Sequence, residues 1–405
     1  MNNLKIFSFF IFFYAFATVC DADDQLITTP IKVHVESPGN LKNQIGKTKA
    51  KLITNLTLTG DLNSSDLDYL GSMADRQYDN EFHGNLQYLD LSDANIVGGG
   101  NIFPYKDIVC KVKDNEIGTY MFACCKLVSV KLPKTTKLID ERAFYYCNDL
   151  KEVVISDGEI KFGKGCFFHC RSLEKAPMPQ NLETIPEETF ESCSSLKNID
   201  IPQTVKEIGA GAFYDCTGLI SVNITDFNAW CDIDFLLEPD SNPVFYAKHL
   251  YVNGEEIDNI SVSLDRTYIK DAVFCGMESL KKVTLHSNIT SIGYYTFYGC
   301  KNMSEIYVYA IKPPKATKSC FDGIDKQSCT LYVPRGTYMD YFLAEGWGDF
   351  LNIVEFDATG IDNPDLSCKP KPVDYYNING MKTTRQTKGL NILRMSDGTY
   401  MKTSF

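Results

Sequence analysis

Ile208-Gly209-Ala210-Gly211-Ala212-Phe213-Tyr214-Asp215-Cys216-Thr217-Gly218-Leu219-Ile220-Ser221-Val222-Asn223-Ile224 decides the fold, because its spacing recurs along the chain. An aliphatic residue or Phe stands five positions before a Phe in the pairs Ile117/Phe122, Ile139/Phe144, Phe162/Phe167, Ile185/Phe190, Ile208/Phe213, Ile269/Phe274 and Ile292/Phe297. Successive Phe residues fall 22, 23, 23, 23, 61 and 23 positions apart. Three residues after the Phe comes Cys147, Cys170, Cys193, Cys216 or Cys300, with Met277 in that place once. An L-x-x-V-x-I-like segment follows: Leu150-Val153-Ile155, Leu173-Ala176-Met178, Leu196-Ile199-Ile201, Leu219-Val222-Ile224, Leu280-Val283-Leu285 and Met303-Ile306-Val308.

The V-x-I pair alternates with period two, which predicts a short strand with one buried face. Pro133, Pro179 and Pro202 close three of these strands, since proline has no N–H to donate. The I-G-x-x-A-F segment then predicts a return arm, a tight turn or 3₁₀ piece. One such coil cannot cover its own apolar edge. Stacking coils at about 4.8 Å per strand pairs the strands in parallel and buries the Leu, Val, Ile and Phe columns continuously. The expectation is a solenoid of about 23-residue coils.

Two places depart from the period. Cys125 keeps the column set by Phe122, whereas Cys124 keeps the strand column, so one residue is missing from the first coil. In the 61-residue gap, Ile260 and Val262 occupy the strand slot before Ile269. That spacing predicts one coil without its Phe, plus an insert of about 15 residues. The insert, 225–256, carries Trp230, Cys231, an Asn242-Pro243 turn and a hairpin signal at Asn253-Gly254.

Solenoid ends need covers over core and strand edges. Residues 32–109 are expected to form the N-terminal cap and 110–325 the repeats, with 326–356 as the far cap. In the far cap, Leu331-Tyr332-Val333-Pro334 precedes a helix-like stretch from Met339 to Glu345 and then Trp347. Pro364, Pro370 and Pro372 mark 357–372 as a linker. Tyr375 to Gly380, Leu390 to Leu393 and the Asp397-Gly398 turn predict a small β module of two or three strands over 373–405.

The pattern I-G-x-x-A-F-x-x-C-x-x-L-x-x-V-x-I-P resembles the BspA-like leucine-rich repeat surface proteins of the Bacteroidales type. The likeness runs from about residue 32 to 356 and includes Val33 to Leu41, the surroundings of Trp230 and the Leu331–Pro334 strand. It implies a leucine-rich repeat solenoid, α/β to mainly β, and adhesion to host matrix proteins or to other bacteria. It implies no catalytic residues and no cofactor. The 373–405 tail resembles the C-terminal sorting modules of Bacteroidetes secretion substrates, though it lacks their basic finish; a plain accessory hairpin is the alternative.

The chain's start fits export. Lys5 precedes an apolar run from Ile6 to Ala17, broken by Ser8. This run is shorter than the roughly 20 residues a bilayer span needs. Ala15-Phe16-Ala17 is a small-x-small cleavage site, so 1–17 reads as a signal peptide. A lipid anchor on Cys20 is the competing reading, weakened by Val19, which is not small. With no second long apolar run, no transmembrane segment is expected, and the location is secreted or cell surface. A net charge of -12 repels phosphate backbones, which argues against a nucleic-acid partner.

Fifteen Cys in an exported chain would ordinarily suggest disulfides. Their repeat column argues instead for small buried side chains whose S–H reaches a turn carbonyl. Cys166 and Cys320 stand directly before a Phe, where Ala143 and Ala212 stand, and read the same way. Cys166, His169 and Cys170 are a poor zinc set, because they share one coil and split between columns. His34, His83, His169, His249 and His286 are scattered, and no H-E-x-x-H or G-x-S-x-G motif exists. No metal or catalytic site is therefore expected.

What remains is the exposed face of the strands, where Lys131, Lys151, Glu152, Lys175, Lys197, Asp200, Lys281, Lys282, Glu305 and Tyr307 alternate with buried positions. Recurring lysine in an acidic chain predicts a binding stripe for an extracellular partner, an acidic protein or an anionic glycan. Ordinary solvated strand positions are the plainer explanation. A glycan could instead use the aromatic insert around Trp230, Phe245, Tyr246 and Tyr251. The oligomeric state is left open.

Overall fold

In a computed structural model, the V-x-I segments pair in parallel and in register one coil apart. Val130 lies opposite Val153, Ile199 opposite Val222, and Ile260, Val283 and Ile306 follow one another. The structure describes residues 25–76, 83–101, 103–105, 108–110, 112–236, 239–358, 372–377, 381–383, 390–395 and 400–404. The signal segment 1–17, Cys20, nearly all of the linker and the Asp397-Gly398 turn lie outside them. The fold is a leucine-rich repeat solenoid with a lateral sheet, a return arm and a turn on each coil.

Residues 32–109, expected as a cap, extend the lateral sheet itself. Strands Ile31–Val35, Asn55–Leu62 and Tyr88–Ile96 pair in parallel and continue into Ser129–Lys131 and Glu152–Val154. Helix Ser64–Met73 serves as one return arm, with Asn63 and Asp66 closing a capping box at its start. The buried Asp66 carboxylate accepts from the N–H groups of Gly39, Leu41 and Asn63, which ties three segments together.

The turn is more regular than the expected 3₁₀ piece. Backbone φ is positive two residues before and two after each Phe, as at Arg142 (53°) and Tyr146 (57°), or Gly211 (62°) and Asp215 (57°). This alternation aims every second N–H at the next coil. Arg142, Phe144 and Tyr146 donate to the carbonyls of Lys164, Cys166 and Phe168, and Glu188, Phe190 and Ser192 donate to Ala210, Ala212 and Tyr214. Inside this ladder the Phe rings stack at 5.5, 5.5, 5.5 and 5.6 Å from Phe122 to Phe213, and at 5.6 and 6.1 Å from Phe274 to Phe321. These are offset-stacking distances.

The cysteine column serves the same ladder. Each thiol reaches back one coil to the Phe carbonyl: Cys147 to Phe122 at 2.9 Å, Cys170 to Phe144 at 3.1 Å, Cys193 to Phe167 at 3.3 Å, Cys216 to Phe190 at 3.1 Å and Cys300 to Phe274 at 3.2 Å. All thirteen cysteines among the described residues are free thiols and buried. Burial pushes the Cys147, Cys170 and Cys216 thiols well above their ordinary range, which keeps them protonated donors.

Prolines interrupt the sheets. The coil expected to place Leu173-Ala176-Met178 in a strand makes only one bridge, Lys175 to Asn198. Pro177 and Pro179 flank Met178 and cannot donate to a ladder. On the return side, Pro186 occupies the place of Gly163 and Gly209, and Lys161–Phe162 and Thr184–Ile185 fall in different sheets. A cleft of about 560 Å³ opens there. The turn ladder crosses the break intact: Gly165, Phe167 and His169 donate to Glu187, Thr189 and Glu191.

The insert corrects the expected arithmetic. Val222 pairs with Leu250 in parallel, so 222–250 is one enlarged coil, and the Leu250–Val252/Glu255–Glu256 hairpin ends its sheet before Ile260 begins the next. The extra residues are thus shared between a long coil and a hairpin. Side chains splice the broken ladder. Gly211 N–H donates to Ser241 Oγ and Asp215 N–H to Tyr246 Oη. Beyond the insert, the Asn242 side chain and the Trp230 indole N–H donate to the carbonyls of Ala272 and Val273. Trp230 is 1% exposed, which removes it from the alternative sugar platform; its ring fills the core and its N–H caps a carbonyl.

The far end closes with helix Tyr338–Leu343, and strand Asn352–Phe356 forms the final lateral edge. Tyr341 and Trp347 are buried under it, donating to the carbonyls of Ala310 at 2.6 Å and Pro314 at 2.7 Å. The tail forms four antiparallel strands, Pro372–Asn377, Lys382–Thr383, Leu390–Met395 and Tyr400–Ser404, more than the two or three expected.

Two outcomes follow from this packing. Phe190→Ala should cost about 3–5 kcal/mol in denaturant unfolding, as for other buried Phe truncations. The repeat-column thiols should resist a colorimetric thiol reagent until guanidinium unfolds the chain, and the midpoint should not change with reductant. Rapid labelling of Cys147, Cys170, Cys193, Cys216 or Cys300 in the native protein, located by peptide mapping, or a reductant-sensitive midpoint, contradicts the buried-thiol column.

Candidate binding surfaces

Lys131 and half-buried Lys282 lie in the lateral strands, exposed Lys151, Lys197 and Lys281 stand one residue before such strands, and exposed Lys175 makes an isolated bridge. Four of the six meet a carboxylate from a neighbouring coil. Lys131 pairs with Asp90 at 2.9 Å, Lys151 with Glu174 at 3.4 Å, Lys281 with Asp258 at 3.2 Å and Lys282 with Glu305 at 3.9 Å. Asp200 accepts from the Asn223 side chain at 2.9 Å. Glu152, Lys175 and Lys197 are exposed beside them. The face is therefore a mosaic of both signs. Such exposed pairs add little stability, about 0–1 kcal/mol each. They do cancel much of the field a bare lysine stripe would project.

The lateral face changes character over its last coils. Tyr307 and Tyr332 lie opposite each other in adjacent strands, with rings 4.2 Å apart and 8° from parallel. Phe356 stands edge-on to Tyr307 at 5.9 Å and to Tyr309 at 5.1 Å. Lys282 Nζ sits 4.6 Å from the centre of the Tyr307 ring. Val354 continues the row, opposite Tyr332. His286 anchors the inner edge, buried, with Nε2 3.1 Å from Ser261 Oγ. Burial, then the charges of Glu305 and Tyr332, pushes the Tyr307 hydroxyl up to about 12. The result is an aromatic ledge fixed on strands and open to solvent on one side, with the Tyr307 hydroxyl protonated at ordinary pH.

Only Lys282, Glu305 and Tyr307 of this ledge stood out in the sequence. Tyr332 and Phe356 were hidden because the last coils abandon the 23-residue step. Tyr332 follows Tyr307 by 25 residues, although alternation in Leu331-Tyr332-Val333 already aimed its side chain outward.

A family model described as BspA type leucine rich repeat region matches residues 115–231 and 247–334 in six copies, more than half of the chain. The chain belongs to the BspA-type leucine-rich repeat family. Among solved structures it is similar to a leucine-rich repeat protein of T. pallidum, with 28% identity, 46% of this chain and 69% of that one covered, and a TM-score of 0.28. It is also similar to a leucine-rich repeat protein of Bacteroides ovatus, with 19% identity, 64% and 65% covered and a TM-score of 0.36. A leucine-rich cell surface protein of Faecalibacterium prausnitzii aligns at 16% identity over 61% and 89%, with a TM-score of 0.27. No curated protein matches the sequence.

The turn side of this BspA-type solenoid is occupied by its own contacts. The Arg142 guanidinium lies about 5 Å from the Tyr145 and Phe168 rings and pairs with Glu188 at 2.6 Å. His169 stacks on Tyr146 at 4.4 Å, while Cys166 and Cys170 point into the core. Among the described residues no group of His, Cys, Asp and Glu could hold a metal ion, and no helix is long and apolar enough to cross a membrane.

Glu191 closes this turn surface. Burial, and then the nearby charge of Glu188, pushes its carboxyl up to about 7. An acid whose folded value exceeds its unfolded value stabilises while protonated and loses that contribution as pH rises through the folded value. The relevant window runs from 4.5 to about 7. Glu191→Gln should therefore melt higher than the parent at pH 8, with the gain vanishing near pH 4. An equal gain at both pH values in thermal unfolding rejects this account.

Proposed function

We propose that this chain is an exported recognition protein, secreted or held at the cell surface, that adheres to host or neighbouring-cell proteins through the solvent face of its lateral sheets. The observation that carries this reading is the Tyr307–Tyr332 pair, stacked and open to solvent with Lys282, Glu305 and Phe356 around it. Half-buried tyrosines held by strands offer contact area with little entropy to lose on binding, and Tyr is enriched at interface hot spots. The mosaic of Lys131, Lys151, Glu152, Lys175, Lys197, Asp200 and Lys281 would extend the contact surface along the stack with polar groups. Repeat scaffolds present extended surfaces of this kind to partners, which agrees with the family. Export rests on residues 1–17, and the mature protein should begin at Thr18 when its terminus is read by mass spectrometry. A lipid on Cys20 would replace that reading.

The binding test uses the mature chain against immobilised fibronectin, fibrinogen, laminin and collagen. With whichever protein binds, the double change Tyr307→Ala and Tyr332→Ala should weaken affinity at least about tenfold. Charge reversal at Lys151, Lys175, Lys197 and Lys281 should alter mainly the on-rate and its salt dependence. Unchanged binding by the tyrosine double variant, with normal melting, would reject the ledge as the contact.

A further inference from the structure

A second surface lies on the return side, away from the lateral face, where the last regular coil meets the far cap. The return strand Ser291–Ile292 pairs with Tyr268–Ile269 and keeps a single further bridge to Lys315. Pro313-Pro314 stands directly before that bridge, and the return sheet has no third strand among the described residues. A cleft of about 530 Å³ results, lined among others by Tyr268, Asp271, Tyr294, Pro313, Lys315 and Glu345. That volume falls within the range of small-molecule sites, about 300–1,000 Å³.

Its walls are fixed. The Trp347 indole N–H donates to the Pro314 carbonyl behind one wall, and Lys315 exchanges backbone hydrogen bonds with Thr290 and Ile292. Asp271 holds the opposite side. Its Oδ1 accepts from the Tyr268 hydroxyl at 2.8 Å and from the Tyr294 N–H at 2.8 Å. Both bonds fall on one oxygen, and Oδ2 has no hydrogen-bond partner among the described residues. The carboxylate is thus oriented with one acceptor to spare. Tyr268, held through its hydroxyl, stays 42% exposed and Tyr294, held through its backbone N–H, 59%, so two aromatic rings face solvent beside an aimed acceptor.

We infer that this cleft binds a neutral oligosaccharide. An aromatic face is electron-rich and attracts the polarised C–H groups on the flat side of a sugar ring. A carboxylate oxygen takes a charge-assisted hydrogen bond from a ring hydroxyl. Asp271 and Glu345 against Lys315 leave the lining slightly negative, which disfavours anionic glycans and phosphates. The Pro186 cleft is the contrast: it offers no exposed ring, since Phe162 is 7% exposed, and so lacks the stacking surface. The site is separate from the tyrosine ledge, so either can fail without the other.

The mature chain is titrated with maltotriose, cellotriose, mannotriose and chitotriose, with 3′-sialyllactose as the anionic probe, and followed by saturation-transfer NMR. With ¹⁵N-labelled tryptophan, the Trp347 indole signal should shift on binding while that of Trp230, in the core of the insert, stays put. At least one neutral trisaccharide should bind in the millimolar range or tighter, and more strongly than sialyllactose. Tyr294→Ala and Asp271→Asn should each weaken it at least about tenfold. Tyr338→Ala, on the far-cap helix outside the cleft, should leave it unchanged. No neutral trisaccharide bound at tens of millimolar overturns the inference. So does full binding by Tyr294→Ala, or a ligand that moves Trp230 and not Trp347.

Discussion

The solenoid depends on a one-way hydrogen-bond ladder at its turns. The coils of Phe122, Phe144, Phe167, Phe190 and Phe274 each send three N–H groups forward to carbonyls of the next, and left-handed residues on either side of the Phe make this possible. For residues other than glycine that conformation costs about 1–2 kcal/mol. A buried hydrogen bond returns about 0.5–1.5 kcal/mol net, and leaving the groups unpaired in the core would cost more. The strain is therefore tolerable only if every coil repeats it. Repetition is what the 23-residue step enforces.

The cysteine column follows from this geometry. The Phe carbonyl accepts the Cys N–H of its own coil and the Cys thiol of the next. The position asks for a side chain small enough to be buried, apolar enough to prefer burial, and able to donate. A serine would meet the first and third demands and resist the second. The same ladder decides where the fold tolerates irregularity. At Pro177 and Pro186 both sheets lapse while the turns remain bonded, and in the insert Ser241, Asn242, Tyr246 and Trp230 take over the missing backbone partners. Clefts arise where the sheets stop and the turns hold.

The repeat made the architecture legible, because periodic burial leaves columns in the sequence. Three things escaped. The role of Trp230 was misread because an aromatic residue in an insert looks available, when its indole was needed to cap a core carbonyl. The aromatic ledge was missed because the coil step drifts near the far cap, 25 residues from Tyr307 to Tyr332 and 22 from Tyr332 to Val354, and shifts the columns. Lysine pairing was overlooked although the repeat itself predicts it. Lys151 and Glu174, Asp258 and Lys281, and Lys282 and Glu305 are each 23 residues apart, so every pair sits on adjacent coils. Reading charges along the axis of the stack, instead of along the chain, turns an apparent lysine stripe into a lattice of ion pairs.

That lattice bears on how such a surface could recognise anything. A face of alternating signs projects no long-range field beyond about a Debye length, 8 Å at physiological salt, so it neither steers nor repels a partner strongly. Selectivity must then come from short-range contacts, shape and apolar area. On a solenoid these can be supplied only where the repetition relaxes, because regular coils present the same modest side chains again and again. Both tyrosine-bearing surfaces lie in the last coils, where the spacing drifts and Pro313-Pro314 leads into an isolated return-side bridge. Regular coils supply rigidity, and the departures from regularity supply the chemistry.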